Sequence, residues 1–367
     1  MPNLISKPTL LLDAEKARRN IAAMSKKAKA ANVRFRPHFK THQSAEIGEW
    51  FREAGVSAIT VSSVDMALYF AEHGWHDILI AFPVNTRQPK SLNKLAHENN
   101  LHLLVESVGT AVSLNNLLGT AVNVWLKVDA GYGRTGIHWQ EKAALLDLAH
   151  TVAEAPHLNL SGILAHAGNT YSAGSLEDIV TIYDETAVRL NSVRDHLQAE
   201  GFELLVSVGD TPGCSLVEDF GQVDEIRPGN FVFYDLMQQH LNACVPDDIA
   251  VGVACPIVAK HETSKRLVIY GGAVHLSKDS MVVNEERIYG RIARWHKEQW
   301  GSMLYGSKII NLSQEHGIVQ TDQAIFDTLH VGDIVVVLPV HSCLTVDLYG
   351  HYTTLTGETI SKMRSNS

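Results

Sequence analysis

The sequence predicts an α/β protein in which an N-terminal (β/α)8 barrel is followed by a mainly antiparallel β domain. Short apolar, β-rich runs alternate with longer amphipathic stretches, and eight such repeats fit a closed parallel barrel of about 250 residues. Beyond residue 250 the long helical patterns stop, and β-rich runs separated by turn-like pieces predict the second domain. A doubly wound open sheet is the competing arrangement, because strand alternation alone does not distinguish it from a barrel.

The first barrel strand is predicted to end near Lys40, because Pro37 lacks an N–H and keeps Arg36 out of the helical region. Seven further barrel strands are predicted at residues 57–62, 77–82, 102–106, 121–128, 160–166, 204–208 and 224–227. The helical patterns between them repeat apolar residues at three- and four-residue spacing, and they include residues 64–74, 88–100, 140–155 and 176–201.

The second domain is predicted to contain strands at residues 250–259, 266–270, 308–311, 334–339 and 345–349. The opening segment, residues 9–12, is also apolar and is expected to join this domain before the barrel begins. The predicted domain boundaries are therefore residues 13–248 for the barrel and residues 249–367, together with 1–12, for the β domain.

The composition is typical of a compact enzyme, with 45% hydrophobic and 19% charged residues in 367. A formal charge of −9 disfavours nucleic acid or an anionic membrane as the main partner, although a local basic pocket can still bind an anionic substrate. No apolar run is long enough to span a bilayer, and residues 1–12 lack the long apolar stretch of a signal peptide. Four cysteines without a Cys-x-x-Cys pair are too sparse for a disulfide framework, so a reducing cytoplasm is expected.

Chemically informative residues cluster where the predicted barrel strands end, which is where barrels carry their chemistry. Lys40 is the first of them. A lysine in such a place is usually just solvated, but it can also form a covalent bond with an aldehyde cofactor, which removes the charge that burial penalises. Segments further along the chain favour the second interpretation.

Six segments in order resemble the D-threonine aldolase and eukaryotic-type D-serine dehydratase family, whose members are pyridoxal-phosphate enzymes of the alanine-racemase fold type. The first, residues 36–42, reads Arg-Pro-His-Phe-Lys-Thr-His, and the others are residues 129–136, 166–171, 209–212, 227–235 and 339–345. Because they span most of the chain, their combination is more specific than any single motif. The resemblance implies a pyridoxal-phosphate-binding barrel, a C-terminal β domain and a homodimer with active sites near the subunit interface.

In this family Lys40 would hold pyridoxal phosphate covalently and then act as a base at the substrate Cα. An ordinary lysine titrates near pH 10.4, so this role requires burial or a neighbouring charge that lowers its pKa. His38 and His42 lie two positions on either side of Lys40 and would share its face if the strand continued. For both histidines a packing or hydrogen-bonding role is as well supported by the sequence as a proton-transfer role.

The resemblance assigns three more side chains to the cofactor ring. Arg134 is expected to contact the phenolic oxygen, where a fixed cation stabilises the ring system. Tyr171 matches the family tyrosine near the pyridine nitrogen, where a phenol moderates the electron demand of the ring. His166 is expected to stack on the ring or support it.

Two glycine-rich turns are predicted to bind the cofactor phosphate. Gly209 and Thr211 form one turn, and Gly229 and Asn230 form the other; glycine allows backbone N–H groups to approach closely, and the Thr211 hydroxyl is a further donor. Asp210 departs from this pattern, because its carboxylate would repel a phosphate unless it points away.

His341 and Cys343 are predicted to bind a metal ion. They stand two positions apart, so in a strand both would project from one face, and nitrogen with sulfur is a zinc-like donor set. Isolated His-x-Cys sequences are usually structural; within this family the pair implies a zinc site that water and substrate complete.

The resemblance implies dehydration and deamination of a β-hydroxy D-amino acid, most simply D-serine to pyruvate and ammonia, with zinc as the Lewis acid for the β-hydroxyl. His-x-Cys resembles the dehydratase branch more than the His-x-Asp of the aldolases. D-threonine aldolase chemistry and D-3-hydroxyaspartate dehydration are alternatives in the same family. Two further alternatives are a non-catalytic protein that binds pyridoxal phosphate and an amino-acid racemase.

Overall fold

The computed structural model describes residues 5–363 and contains two compact units. The first runs from Ala22 to Gly229, and the second joins the residues up to Ile21 with those from Asn230 onward. The barrel unit therefore begins and ends inside the predicted range of 13–248. Among the described residues, no helix is long and apolar enough to cross a membrane.

Up to Gly229 the described strands are β1 (Thr9–Leu12), β2 (Arg34–Phe35), β3 (Ile59–Val61), β4 (Asp77–Pro83), β5 (Asn100–Val105), β6 (Val122–Asp129), β7 (Ile137–His138), β8 (Leu158–Ala165), β9 (Leu205–Val208) and β10 (Glu225–Ile226). The helices in the same part of the chain are α1 (Ala14–Ala30), α2 (Ala45–Glu53), α3 (Val64–Glu72), α4 (Pro89–Glu98), α5 (Val108–Leu117), α6 (Lys142–Glu154), α7 (Leu176–Ala199) and α8 (Thr211–Leu216).

The barrel strands form one parallel sheet in the order β2-β10-β9-β8-β6-β5-β4-β3. A parallel bridge between His38 and Thr60 joins the first and last strands of this order. This bridge favours the predicted barrel over the open sheet. The longer strands, such as β4, β5, β6 and β8, are mainly apolar because helices cover a parallel sheet on its outer face while side chains fill its interior.

Inside the barrel unit, the buried Arg36 is paired with two carboxylates. The Arg36 side chain is 0% exposed, and its Nε donates a hydrogen bond to Glu225 at 2.7 Å. Its terminal nitrogen Nη1 donates a second hydrogen bond to Asp77. Ser207 donates to the same Glu225 carboxylate at 2.8 Å, and His102 lies 3.2 Å from Asp77. Pairing of this kind offsets the cost of desolvating each charge.

The strands after Gly229 are β11 (Val251–His261), β12 (Arg266–Tyr270), β13 (Met281–Val283), β14 (Glu286–Ile288), β15 (Gly290–His296), β16 (Gln299–Met303), β17 (Ser307–Leu312), β18 (His316–Thr321), β19 (Ile334–Pro339), β20 (His351–Thr354) and β21 (Thr359–Ser361). The helices here are α9 (Leu236–His240), α10 (Ala273–Leu276), α11 (Gln323–Asp327) and α12 (Ser342–Asp347).

The main sheet of this second unit has the order β16-β15-β19-β11-β1-β20-β21, and β12, β18 and β17 extend from β11. Its described pairs are antiparallel except β1 with β20. The segment 9–12 joins this sheet as predicted. The predicted fold class, a parallel barrel with a mainly antiparallel β domain, is confirmed.

Two predicted strands differ from the structure. The strand predicted to end near Lys40 ends at Phe35, and after the His38 bridge the chain turns before α2. Pro37 cannot donate to a ladder, and Gln43 adopts a positive φ of 50° that begins the new direction.

The second error is the strand predicted at residues 345–349, where the structure has the end of α12 instead. β-Branched Thr345 and Val346 suggested a strand, but both are buried in a helix whose C-terminal carbonyl at Val346 accepts a hydrogen bond from Lys362. Tertiary packing and this cap outweigh the local preference for a strand.

Candidate active site

Lys40 lies in the turn that follows the His38–Thr60 bridge, and its side chain is exposed. Its backbone N–H faces His38 Nδ1 at 3.3 Å, and its carbonyl accepts from Gln43 Nε2 at 3.1 Å. The lysine is therefore held by a hydrogen-bonded turn on the barrel rather than by a continuing strand. An accessible amine on a fixed backbone suits covalent attachment to an incoming aldehyde.

The two histidines near Lys40 occupy different surroundings. His38 is half-buried, and burial together with the charges of Lys40 and Arg227 holds its pKa well below its ordinary value. His42 is fully buried and stacks on Phe51 with ring centroids 5.4 Å apart. The turn does not place both beside Lys40 on one strand face, and the surroundings of His42 favour the packing alternative.

His166 and Tyr171 follow β8. The Nδ1 atom of His166 is hydrogen-bonded to the carbonyl oxygen of Gly209, which fixes the proton on Nδ1 and leaves Nε2 with its lone pair. Burial and the nearby Arg134 lower the pKa of His166 to about 3, so the ring is neutral at pH 7. The Tyr171 hydroxyl accepts the backbone N–H of Thr211 at 3.3 Å, and its ring lies 6.4 Å from that of His166.

Arg134 is exposed after the glycine-rich end of β6, with its guanidinium carbon 5.2 Å from the centroid of the Tyr132 ring. Its charge contributes to the lowered pKa values of His166 and Lys127. Arg134 and Lys40 both act electrostatically on His166, so these three residues share one neighbourhood of the barrel unit.

The Gly209–Thr211 turn opens α8. Thr211 is the first residue of that helix, and its buried Oγ1 has no hydrogen-bond partner among the residues that the structure describes. Asp210 caps the helix by accepting from Gly213 N at 2.6 Å, and it also accepts from Thr170 Oγ1 at 2.9 Å. Its carboxylate is thus directed into the protein, where burial raises its pKa to about 6.

The second predicted turn brings β10 against the Lys40 segment. A side chain at Gly229 would place its Cβ 2.9 Å from the His38 carbonyl oxygen, so only glycine allows this approach. At Gly209 a Cβ would lie 3.0–3.1 Å from Arg227. Close packing therefore requires glycine at position 229 and leaves little space for a side chain at position 209, whatever the two turns bind.

Two buried cations, Arg227 and Lys127, were not among the predicted site residues. Arg227 donates through Nε to Ser207 Oγ at 2.7 Å and through a terminal nitrogen to the Ala165 carbonyl at 2.6 Å. Lys127 is almost fully buried, and burial lowers its pKa to about 8. The sequence did contain signals for both residues. Lys127 is a charged residue inside an otherwise apolar predicted strand, and Arg227 lies in a segment that matches the family.

These residues fit pyridoxal phosphate. The phosphate is an anion that needs donors and positive charge, and Arg227, which lies against Gly209, and the neighbouring Lys127 supply the charge. The buried hydroxyl of Thr211 supplies a donor that bonds nothing else described. Lys40 supplies the amine for the aldehyde. The donor set therefore matches both ends of this cofactor.

His341 and Cys343 lie in the second unit at the start of α12. His341 is the N-cap residue, in an extended conformation, and Cys343 is in the first helical turn. The two side chains hydrogen-bond each other; although burial opposes it, the negative charge of Cys343 and Asp235 raises the pKa of His341 to about 9. The strand geometry predicted for the pair was wrong, but the helix start still brings imidazole and thiol together.

This pair fits a zinc ion as two of its ligands. Nitrogen and sulfur donors in negative surroundings favour a borderline-soft cation. Within residues 5–363 no group of three or more His, Cys, Asp or Glu side chains forms a complete metal cage. The arrangement agrees with a partly filled site that water and substrate complete, rather than with a closed structural zinc site.

Comparison with known proteins identifies the family. The model of the alanine racemase N-terminal domain matches residues 12–236, and that of the putative serine dehydratase domain matches residues 250–355. The chain belongs to the alanine racemase N-terminal domain family. This membership confirms the resemblance drawn from the sequence motifs, and it supports pyridoxal phosphate as the cofactor.

Relatives with known activities match almost the whole chain. The D-threo-3-hydroxyaspartate dehydratase of Delftia sp. strain HT23 is 28% identical over 363 residues, which cover 96% of this chain and 94% of the relative. Its solved structure matches with a TM-score of 0.92 at 26% identity and covers 99% of both chains.

Two further relatives have related activities. The D-serine dehydratase of Dictyostelium discoideum is 28% identical over 376 residues, which cover 95% of this chain and 93% of the relative. The 3-hydroxy-D-aspartate aldolase of Paracoccus denitrificans strain Pd 1222 is 26% identical over 360 residues, which cover 95% of this chain and 88% of the relative. The chain is therefore similar to lyases that act on β-hydroxy D-amino acids.

Proposed function

We propose that the protein is a lyase that uses pyridoxal phosphate and zinc to dehydrate and deaminate a β-hydroxy D-amino acid, with D-serine as the lead substrate. The observation that carries this proposal is the hydrogen-bonded pair of His341 and Cys343 at the start of α12. A non-catalytic carrier of pyridoxal phosphate has no evident need of such a pair, and nitrogen with sulfur favours zinc. Overall, D-serine would yield pyruvate and ammonia.

In the barrel unit, each side chain has a stated task. Lys40 would hold the cofactor covalently and move the proton at the substrate Cα. Thr211 Oγ1 and the backbone of the Gly209 turn would bind the phosphate, and neutral His166 would keep its Nε2 lone pair available beside the ring. Arg134 would supply positive charge at the phenolic oxygen. When bound, pyridoxal phosphate supplies an electron sink for negative charge at Cα.

The tasks of the remaining predicted residues follow from their contacts. Tyr171 would orient the turn before α8 through the N–H of Thr211, in addition to its expected place near the pyridine nitrogen. Gly229 would allow the close approach of the β10 end to His38. The Asn230 amide is committed to residues of the second unit, so only its backbone remains available for a phosphate.

In the second unit His341 and Cys343 would bind zinc, which when bound supplies Lewis acidity for the departing β-hydroxyl. A solved structure of a D-threo-3-hydroxyaspartate dehydratase, to which this chain is 26% identical, is of a cysteine-to-alanine mutant in the metal-free form, and this chain has a cysteine in its own candidate site.

Aldol cleavage is the second candidate, because the chain is 26% identical to an aldolase over nearly its whole length. The aldolase reaction would remove a proton from the β-hydroxyl and break the Cα–Cβ bond, whereas dehydration breaks the Cβ–O bond. The products therefore distinguish the two reactions.

The test is a product analysis with D-serine, D-threo-3-hydroxyaspartate and D-threonine, with and without added zinc. We expect 2-oxo acid and ammonia from the first two substrates, dependent on zinc. Glycine with an aldehyde as the dominant products would establish the aldolase instead, and an inverted amino acid would establish a racemase. The predicted homodimer and cytoplasmic location stay predictions, for sedimentation and cell fractionation to check.

A further inference from the structure

A buried carboxylate lies directly behind the candidate metal ligands. Asp235 is 0% exposed, and its Oδ2 atom accepts the backbone N–H of Ser342 at 2.9 Å. The same oxygen lies 3.5 Å from Nδ1 of His341. One carboxylate oxygen therefore faces both the first N–H of α12 and the imidazole that precedes it.

Asn230 links this carboxylate to the cysteine. Its amide nitrogen lies 2.7 Å from Asp235 Oδ2, 3.0 Å from Ser342 Oγ and 3.6 Å from Cys343 Sγ. The side chain is only 4% exposed, so water does not compete freely for these contacts. A single amide thus touches the carboxylate behind the histidine and the sulfur of the other candidate ligand.

From this arrangement we infer that Asp235 and Asn230 are positioning residues of the metal site. Asp235 holds the Nδ1–H of His341, so that Nε2 is presented to the metal, and Asn230 holds the Cys343 sulfur by donating to it. Metal-ligating histidines commonly donate their second N–H to a carboxylate, which fixes the tautomer and the ring orientation. The inference rests on the proposed function, because it concerns the zinc site proposed there.

A simple capping role does not explain Asp235. Its Oδ1 atom caps α9 by accepting from Gln238 N at 2.9 Å, which is all that an N-cap requires. Asp322 shows the simple case in the same unit: it caps α11 by accepting from Ile325 N at 2.8 Å, and it is exposed. Asp235 differs in that its second oxygen is buried against Asn230, Ser342 and His341.

The two aspartates supply a matched experiment. Zinc affinity is measured by equilibrium dialysis with metal analysis for the wild type, Asp235→Asn, Asn230→Ala and the control Asp322→Asn. We expect Asp235→Asn and Asn230→Ala each to weaken zinc binding by roughly 10- to 100-fold. Asp322→Asn, which also removes a carboxylate from a helix N-cap, should bind zinc like the wild type.

A spectroscopic readout separates positioning from general damage to the fold. In the cobalt-substituted protein, Asn230→Ala should shift the thiolate-to-cobalt absorption band, because the sulfur loses its donor. Borohydride labelling of Lys40 by pyridoxal phosphate should remain in every variant, since that lysine belongs to the other unit.

The outcomes are decisive in each case. Wild-type zinc affinity and an unchanged cobalt spectrum in both Asp235→Asn and Asn230→Ala would overturn the inference and leave the proposed function intact. A wild type that binds no zinc would overturn the proposed metal and the inference together. If Asp235→Asn does not fold, the Asn230→Ala affinity alone decides, and an unchanged value overturns the inference.

Discussion

The two units shift the pKa of a buried or half-buried histidine in opposite directions. In the barrel, burial and the positive charge of Arg134 lower the pKa of His166 to about 3. In the β unit, the negative charge of Cys343 and Asp235 overcomes burial and raises the pKa of His341 to about 9. Burial opposes the charged imidazole in both places, so the sign of the neighbouring charge makes the difference.

This difference indicates which ligand each region suits. Cations collected around Lys40 and His166 keep the histidine neutral and leave positive charge for an anion such as a phosphate. Anionic groups around His341 attract a proton or, equally, a metal cation. The comparison predicts that changes in the barrel affect cofactor binding and that changes at the start of α12 affect metal binding.

The largest expected effect is the loss of Lys40. Lys40→Ala removes the covalent attachment and the base together, so turnover should fall by roughly 10³-fold or more. Borohydride reduction followed by peptide mapping should label Lys40 in the wild type and nothing in the variant. Lys90→Ala, at an exposed position on α4, is the control and should keep the label. A label on another lysine would refute the assignment.

The next largest effect is expected from the loss of the candidate metal ligands His341 and Cys343. Chelation should abolish deamination while pyridoxal phosphate stays attached at Lys40, and zinc should restore activity in the wild type but not in His341→Ala. Cys343→Asp keeps a ligand but favours harder metals, so zinc-dependent dehydration should fall about 10²-fold or more, with some manganese-supported aldol cleavage of D-threonine.

The control for His341→Ala is His351→Ala, which changes an exposed histidine on β20 of the same unit. After chelation, added zinc should restore the deamination activity of this variant in full. Undiminished formation of pyruvate from D-serine by the metal-free wild type would be incompatible with this role of the pair.

A smaller effect concerns the pH dependence of stability. The folded-state pKa of Asp210 is about 6, above its ordinary value of 3.8, so the folded protein binds this proton more tightly than the unfolded chain. The stabilisation is present at low pH and is lost as pH rises from about 4 to about 6, by up to about 3 kcal/mol.

Asp210→Asn tests this pH dependence, because the amide retains a cap acceptor and does not titrate. Urea unfolding at several pH values should show the wild type losing free energy of unfolding relative to the variant across that interval. A constant difference between the two proteins from pH 4 to pH 7 would contradict the raised pKa.

The smallest expected effect is at Thr211. Thr211→Val keeps the shape but removes the hydroxyl, and the loss of one hydrogen bond to a charged group should weaken cofactor binding by about tenfold, or about 1.5 kcal/mol. Titration of the cofactor-free protein with pyridoxal phosphate measures this change. Thr211→Ser keeps the donor and should bind normally; equal affinity of all three proteins would exclude a phosphate contact.

The sequence predicted the fold well because the signals were long and repeated. Alternation of β-rich and amphipathic stretches gave the barrel, and the apolar segment 9–12 was correctly assigned to the second sheet. Short signals failed where local preference and tertiary context disagreed. Residues 345–349 have β-branched and aromatic side chains, yet packing and the Lys362 cap hold the chain around them in α12.

By itself the sequence determined the family, the barrel, the β domain and the residue types of both candidate sites, because these depend on motifs and periodicity. Only the tertiary structure decided how the residues are supported. It joined Asp235, Asn230 and Ser342 behind His341, and it set opposite charge around His166 and His341. These contacts link residues up to 112 positions apart, and local patterns carry no record of such distant neighbours.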